Sequence, residues 1–263
     1  MSTAADIDLT RNGAIAHLRL NRPAKLNALD RAMVARLAAR CAEIEADDDI
    51  RVVILSGEGK AFCAGGDIEA WASETPDSFG RHWLRDGHAA FDALARLRQP
   101  VIAVLDGHAL GGGLELAACA DIRVAEEQIK AGQPETGLGI IPGWSGTQRA
   151  VRRFGAQVVR RMVLAGEVFT ADEALGLGLV DRVVPKGQAM AAAEELAATL
   201  LTRSPRATEL AKMMINHAEG EERERIAESL AGALAAHSPD LAEGLAAFRE
   251  RRTPNFLKDK DKP

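Results

Sequence analysis

Two glutamates stand among glycines, and a carboxylate held in such surroundings can do proton chemistry. Glu115 lies in the first turn of a helix that begins after Gly111-Gly112-Gly113. Free N–H groups at a helix N-terminus, at the positive end of its dipole, make a ready site for an anion or a developing oxyanion. Its neighbours Leu114, Leu116, Ala117 and Ala118 are apolar, so the helix reads as buried on most sides and the carboxylate needs a reason. The plain alternative is an exposed first-turn acid that only answers the dipole. Glu135 lies in GQPETGLGIIPGWSGTQR, flanked by glycines and prolines. An acid in a rigid, partly apolar loop can have a raised pKa and exchange protons near neutrality, whereas an ordinary loop acid does neither. A third loop, Ala64-Gly65-Gly66-Asp67, would let backbone N–H groups approach a ligand closely. Taken alone it reads first as a tight turn.

These loops do not form a dinucleotide site. The G-x-G-x-x-G spacing is absent, and Asp121 comes too early to serve as the ribose-binding acid. A tyrosine-dependent short-chain dehydrogenase is excluded as well, because the chain has no tyrosine. Its 263 residues, 47% hydrophobic and 27% charged, describe an ordinary globular protein with room for a sizeable core. A net charge of −5 argues against a nucleic-acid partner. Cys41, Cys63 and Cys119 form neither an even disulfide framework nor a close metal-ligand cluster, which points to a reduced, cytoplasmic setting. No signal-peptide texture and no long apolar span suggest a membrane.

The elements that must position the loops can be read from the apolar pattern. Residues 6–20 read as a hairpin around Asn12-Gly13. Asp30 caps a helix whose apolar positions Met33, Leu37, Cys41 and Ile44 recur at helical spacing, ended by Asp47-Asp48-Asp49. Val52–Leu55, Val101–Leu105 and Ile122–Val124 are continuous apolar runs of strand length, each followed by a loop. Alternation of strand, glycine loop and helix predicts an α/β core with a largely parallel sheet buried on both faces. Thr170 to Glu173 is a capping-box pattern, and Val180–Val184 reads as a last strand ended by Pro185. From Gln188 onward the texture is helical, which places a boundary near residue 186 between a core of residues 1–185 and a helical region of residues 186–263.

Taken together, six segments resemble the enoyl-CoA hydratase/isomerase family, also called the crotonase superfamily. They are NRPAKLNAL (21–29), KAFCAGGDI (60–68), DGHALGGGLELAACADIRVA (106–125), GQPETGLGIIPGWSGTQR (132–149), TADEALGLGLVDRVVP (170–185) and AFRERRTPNF (247–256). The resemblance implies a crotonase-like α/β fold, a spiral of ββα units with a C-terminal helical region that mediates homotrimer contacts, often as a dimer of trimers. It implies an oxyanion hole made by the N–H groups of Gly66 and Gly112, and catalytic roles for Glu115 and Glu135. It also implies contacts to coenzyme A from Lys25, Ala28, Ala64, Asp67 and Ile68, and from Phe248 and Arg251 in the C-terminal helix. The implied substrate is an acyl-CoA thioester, with no metal and no separate cofactor.

The implied reaction is reversible hydration of a trans-2-enoyl-CoA. Presence of both glutamates favours it over a Δ3,Δ2-enoyl-CoA isomerase or a hydratase for an unusual acyl group. A non-catalytic acyl-CoA-binding or RNA-binding member is the reading from a different class. The sequence departs from common family patterns at Gly66, where alanine is frequent, and at His108, often aromatic. His108 reads as packed or bonded to backbone, Cys63 as a small buried filler, and Trp144 as core packing or a wall of the acyl path. The resemblance implies that residues 69–90, with Trp71, His82 and Trp83, form the family's variable wall, which carries acyl specificity.

Overall fold

The computed structural model describes residues 6–222 and 224–256, and the chain divides into two compact units, Met1–Lys212 and Met213–Pro263. In the first unit, β1 (Ile7–Asn12) and β2 (Ile15–Leu20) form the expected antiparallel hairpin, with Asn12 opposite Ile15. The turn falls on Gly13-Ala14, one place later than expected, with Gly13 at a φ of 59°. Asp30 caps α1 (Arg31–Ala46), its carboxylate accepting from the Met33 N–H at 2.9 Å, and Met33, Val34, Leu37, Cys41 and Ile44 are buried.

From α1 onward consecutive strands step between two sheets. β3 (Val52–Gly57) joins a six-stranded sheet and β4 (Ala61–Cys63) a four-stranded one. β5 (Val101–Leu105) and β6 (His108–Leu110) repeat the step, and β7 (Ile122–Glu126) and β8 (Lys130–Gly132) repeat it again. β9 (Val168–Thr170) ends the small sheet and β10 (Arg182–Val184) the large one. The large sheet runs β1-β2-β3-β5-β7-β10 and is parallel from β2 onward. In the small sheet, β4-β6-β8-β9, only β8 and β9 pair antiparallel. With helices between the steps, the chain winds as a spiral of ββα turns. β10 begins at Arg182 rather than Val180, because Asp181 is held in a turn by Arg123, whose backbone N–H and guanidinium both reach its carboxylate.

The apolar runs are continuous because both faces of the large sheet are covered. Side chains alternate along a strand. Val53, Leu55, Val101, Ala103 and Leu105 enter the main core, while Val52, Ile54, Ile102 and Val104 meet Ala189, Ala193 and Ala197 of α9 (Ala189–Leu201) on the opposite side. Small alanines let this helix lie close to the sheet. The strands therefore stop where the sequence texture changes near residue 186, but the compact unit continues to Lys212, whose ammonium donates to the Gln99 carbonyl at 2.8 Å and to Asp121 at 2.7 Å. The second unit carries the end of α10 (Pro205–Glu219), then α11 (Glu224–Ala236) and α12 (Pro239–Glu250). α12 is capped by Ser238 and ends at Arg251 in a left-handed conformation. No described helix is long and apolar enough to cross a membrane.

Candidate functional site

Because β4, β6 and β8 are parallel neighbours, their C-terminal ends lie along one edge, where open α/β sheets bind ligands. The loops that leave them are Ala64–Asp67, the turn into α5 (Gly112–Ala117), and Gln133-Pro134-Glu135. Sequence-distant glycine loops and glutamates are thereby brought together. Gly65 has a φ of 101°, and a Cβ there would lie 3.1 Å from the Gly112 nitrogen. A Cβ on Gly113 would lie 2.0 Å from the Cys63 carbonyl oxygen, so only glycine lets α5 approach β4 this closely. The N–H groups of Gly66 and Gly112 have no hydrogen-bond partner among the described residues.

Glu115 and Glu135 are both buried, at 3% and 8% exposure, and both line a cavity of about 470 Å³. Glu115 Oε1 accepts from the backbone N–H groups of Trp144 and Gly146, each at 2.7 Å. Burial, reinforced by the charge of Glu135, pushes Glu115 up to about 7, against the pull of those two donors and of Arg149. Neither carboxylate oxygen of Glu135 has a hydrogen-bond partner among the described residues, and burial pushes it up to about 7 as well. The same surroundings treat the two acids differently. Two backbone donors at Glu115 favour its ionised form, whereas Glu135 feels only the pull of its own backbone N–H against the burial that favours its acid.

The cavity walls are aromatic and aliphatic: Trp71, Phe79, Trp83, Trp144, Leu138, Ile140 and Ile141 face it. Trp144 is seated in a notch of α4 (Arg85–Ala95), where a Cβ on Gly87 would lie 1.9 Å from its indole nitrogen. Its N–H donates to the Trp83 carbonyl at 3.2 Å, and Phe91 packs 5.1 Å from its ring. Trp144 is thus both core and wall. The glycine at position 66 also has a local reason. A Cβ there would sit 3.0 Å from the Trp83 ring and 3.5 Å from both Trp144 and the Trp71 nitrogen.

The remaining expected contacts fall in different places. Ile68 and Ala64 line the cavity. Asp67 is buried, caps α2 (Ile68–Trp71) and is ion-paired with Arg22 at 2.6 Å. Burial raises its pKa, but the Arg22 hydrogen bond and charge outweigh that and hold it below the usual value. Arg22 also donates to the carbonyl of Ala28, so one guanidinium ties the Lys25–Ala28 turn to the Gly66 loop. Lys25 is exposed and hydrogen-bonded to Glu69 at 2.6 Å, which raises its pKa. Phe248 and Arg251 belong to the second unit, where Phe248 is 84% exposed and Arg251 ends α12. His108 is exposed and its Nδ1 accepts from the Lys130 N–H, bridging β6 to β8. Cys63 is fully buried, its thiol pushed up to about 12 by burial. Among the described residues no group of His, Cys, Asp and Glu could hold a metal ion.

Sequence reasoning did not single out Arg22, Asn27, Gly87 or Gln133. Asn27 is fully buried, and its amide group donates to the carbonyls of Glu58, Ala61 and Phe62 beneath the first glycine loop. Gln133 is fully buried beside Gly146, where a Cβ would lie 2.2 Å from its nitrogen. The N-R-P and G-Q-P clusters contain Arg22 and Gln133 without saying what either side chain meets, and neither cluster reaches Asn27 or Gly87.

Comparison with known proteins agrees with this geometry. Residues 10–260 match the sequence profile described as enoyl-CoA hydratase/isomerase. A probable enoyl-CoA hydratase of Mycobacterium tuberculosis is 37% identical, over 97% of this chain and 98% of the relative. A short-chain-enoyl-CoA hydratase of Clostridium acetobutylicum is 40% identical over 80% of this chain and 81% of its own. The crystal structure of an enoyl-CoA hydratase from Bacillus anthracis superposes with a TM-score of 0.80 at 34% identity, covering 97% of this chain and 100% of that one. With strands, glycine loops and both acids in this order over nearly its whole length, the chain belongs to the enoyl-CoA hydratase/isomerase family.

Proposed function

We propose that the chain is an enoyl-CoA hydratase that adds water reversibly to a trans-2-enoyl-CoA, giving a 3-hydroxyacyl-CoA. One observation carries the reading: two buried carboxylates with opposite hydrogen-bonding environments face one apolar cavity beside two unpaired backbone N–H groups. The thioester carbonyl accepts from Gly66 and Gly112. As the water oxygen bonds to the β-carbon, electrons move onto that carbonyl, and each fixed donor contributes about 3 kcal/mol to holding the charge. Glu115 is ionised, positioned by the Trp144 and Gly146 amides through one oxygen, with the other left to take a proton from water. Glu135 enters as the acid and delivers its proton to the α-carbon. The pair then returns to its starting state by passing one proton from Glu115 to Glu135.

Coenzyme A, part of the substrate and not a separate cofactor, lies along the Lys25–Ala28 turn, Ala64 and the Asp67-Ile68 stretch, with Lys25 on a phosphate. Phe248 and Arg251 complete this surface in an assembled homotrimer or dimer of trimers. Leu234, Leu241, Leu245 and Phe248 expose apolar surface on α11 and α12 that a monomer leaves in water, which supports such an assembly. The name of the Clostridium relative, a short-chain-enoyl-CoA hydratase, supports a short acyl group, and we propose that the enzyme acts in the cytoplasm, in fatty acid metabolism. Loss of enoyl absorbance on mixing the protein with crotonyl-CoA tests the reading. No hydration of crotonyl-CoA or of longer enoyl-CoAs would refute it, and conversion of a 3-enoyl-CoA by Glu135 without hydration would favour the isomerase.

A further inference from the structure

One side chain is shared by two cavities. Trp83 lines the acyl cavity, its indole beside Gly66, and the same residue also lines a second cavity of about 360 Å³ between α1 and α4. Trp83 is the only described residue common to both linings. The second cavity is a groove open to solvent, otherwise lined by buried Val34, half-buried Ala38, exposed Ala35 and Ala89, and the exposed Arg31 and Asp86. The guanidinium of Arg31 is already paired with Glu74 at 2.8 Å. What remains behind Trp83 is alkyl surface with space, and its chemistry suits an alkyl chain.

The residue is placed so that its ring is the partition. Trp83 is 4% exposed, lies in the π-helical turn Phe79–Leu84 that leads into α4, and packs on Trp144 with ring centroids 5.0 Å apart. Single π turns of this kind are frequent at functional sites. Trp144 is fixed by its hydrogen bond to the Trp83 carbonyl. The Trp83 ring, by contrast, has no hydrogen bond to a described residue and is held by packing alone. Its removal therefore strands no buried polar group and leaves the Trp144 acceptor, a backbone carbonyl, in place.

We infer that Trp83 determines acyl length: its indole closes the acyl cavity against the groove between α1 and α4. A short acyl group is housed wholly in front of the ring, and a longer alkyl tail requires the groove behind it. The inference rests on the acyl-CoA reading of the site. It assigns the groove an occupant, the distal methylenes of the substrate, because Trp83 is the described residue that stands between the two linings.

The test compares kcat/KM for trans-2-decenoyl-CoA and crotonyl-CoA as a ratio, in the full-length protein. Trp83→Ala should raise the ratio about tenfold or more, since each methylene moved from water to an apolar site is worth roughly fourfold. Trp83→Phe, which keeps an aromatic filler, should raise it less and guards against a variant that fails to fold. Adding Ala35→Trp to Trp83→Ala fills the groove from the α1 wall and should take the gain back. A flat ratio in folded, active Trp83 variants would overturn the inference, as would a gain that Ala35→Trp leaves untouched. A wild type that prefers decenoyl-CoA and loses that preference on Ala35→Trp would also overturn it, because the partition would already be open. If the wild type hydrates no enoyl-CoA, the hydratase reading fails by itself. Binding titrations with butyryl-CoA and decanoyl-CoA then decide the role of Trp83, the same change in preference being required.

Discussion

Replacing Glu115 by Gln removes a proton site while keeping the shape of the side chain, so its effect on stability should depend on pH in a calculable way. The amide oxygen can still accept from Trp144 and Gly146. In the wild type, burial moves this carboxyl from 4.5 to about 7 in the folded state. Below the unfolded value both states hold the proton, and the group contributes no penalty. As pH rises from there toward 7, the unfolded chain ionises while the folded chain does not, and stability falls by about 1.36 kcal/mol per pH unit. The loss amounts to about 3 kcal/mol and is complete above 7. Glu115→Gln escapes it. Urea denaturation of both proteins at equal concentration, at pH 5 and pH 8, should show the variant gaining about 2–3 kcal/mol on the wild type at the higher pH. A difference that is the same at both pH values would refute the argument that burial, rather than hydrogen bonding, dominates this carboxyl.

Glu115→Gln should abolish hydration of crotonyl-CoA yet retain some α-proton exchange in butyryl-CoA, whereas Glu135→Gln should suppress both. Deuterium incorporation alongside the hydration assay separates them, and near-normal hydration by Glu115→Gln would exclude the two-carboxylate scheme. Lys25→Ala should raise KM several-fold with kcat little changed, more strongly at low salt, while Glu69→Gln, which releases Lys25, should lower KM. Equal KM values in all three proteins would remove Lys25 from the site. Gly87→Val should evict the Trp144 ring from its notch and destabilise the fold by about 3 kcal/mol or more, as overpacking of a full core does. A stability within about 0.5 kcal/mol of wild type, read by urea denaturation, would show that the notch can widen. Sedimentation at micromolar concentration should give a trimer or hexamer, and a clean monomer would contradict the assembly inferred from α11 and α12.

Local signals decided which elements could be read in advance. The Asp30 cap, the Thr170–Glu173 capping box and the two-face burial of Val52–Leu55 all depend on residues a few positions apart or on one strand's own pattern. The short strands of the small sheet, three residues each, carry no pattern long enough to detect. The convergence of Gly66, Gly112, Glu115 and Glu135 was legible only as a resemblance to a family, since nothing in spacing states that β4, β6 and β8 are neighbours. Arg22 and Asp67, or Gly87 and Trp144, meet through the fold alone. Alternation of apolar runs cannot report which side chain fills a notch on a distant helix. The helix at Ala189–Leu201 looked like the start of a tail because it is rich in alanine, yet that richness is what fits it to the sheet.

The stepping of the chain between two sheets has a mechanical consequence. Each glycine loop hangs from a strand that is clamped by its neighbours in the small sheet, so the donors and acids keep their spacing as long as those strands stay paired. The segment between Ile68 and Ala95 leaves the small sheet after β4, and the chain returns to that sheet at β6 by way of β5 in the large one. Changes in this segment before α4 alter the cavity wall, while α4 itself, whose Gly87 notch seats Trp144, belongs to the frame that holds Glu115. Proton transfer rests on the ladder, and the cavity wall is carried by a detour that is tied back to the acids at one residue, Trp144.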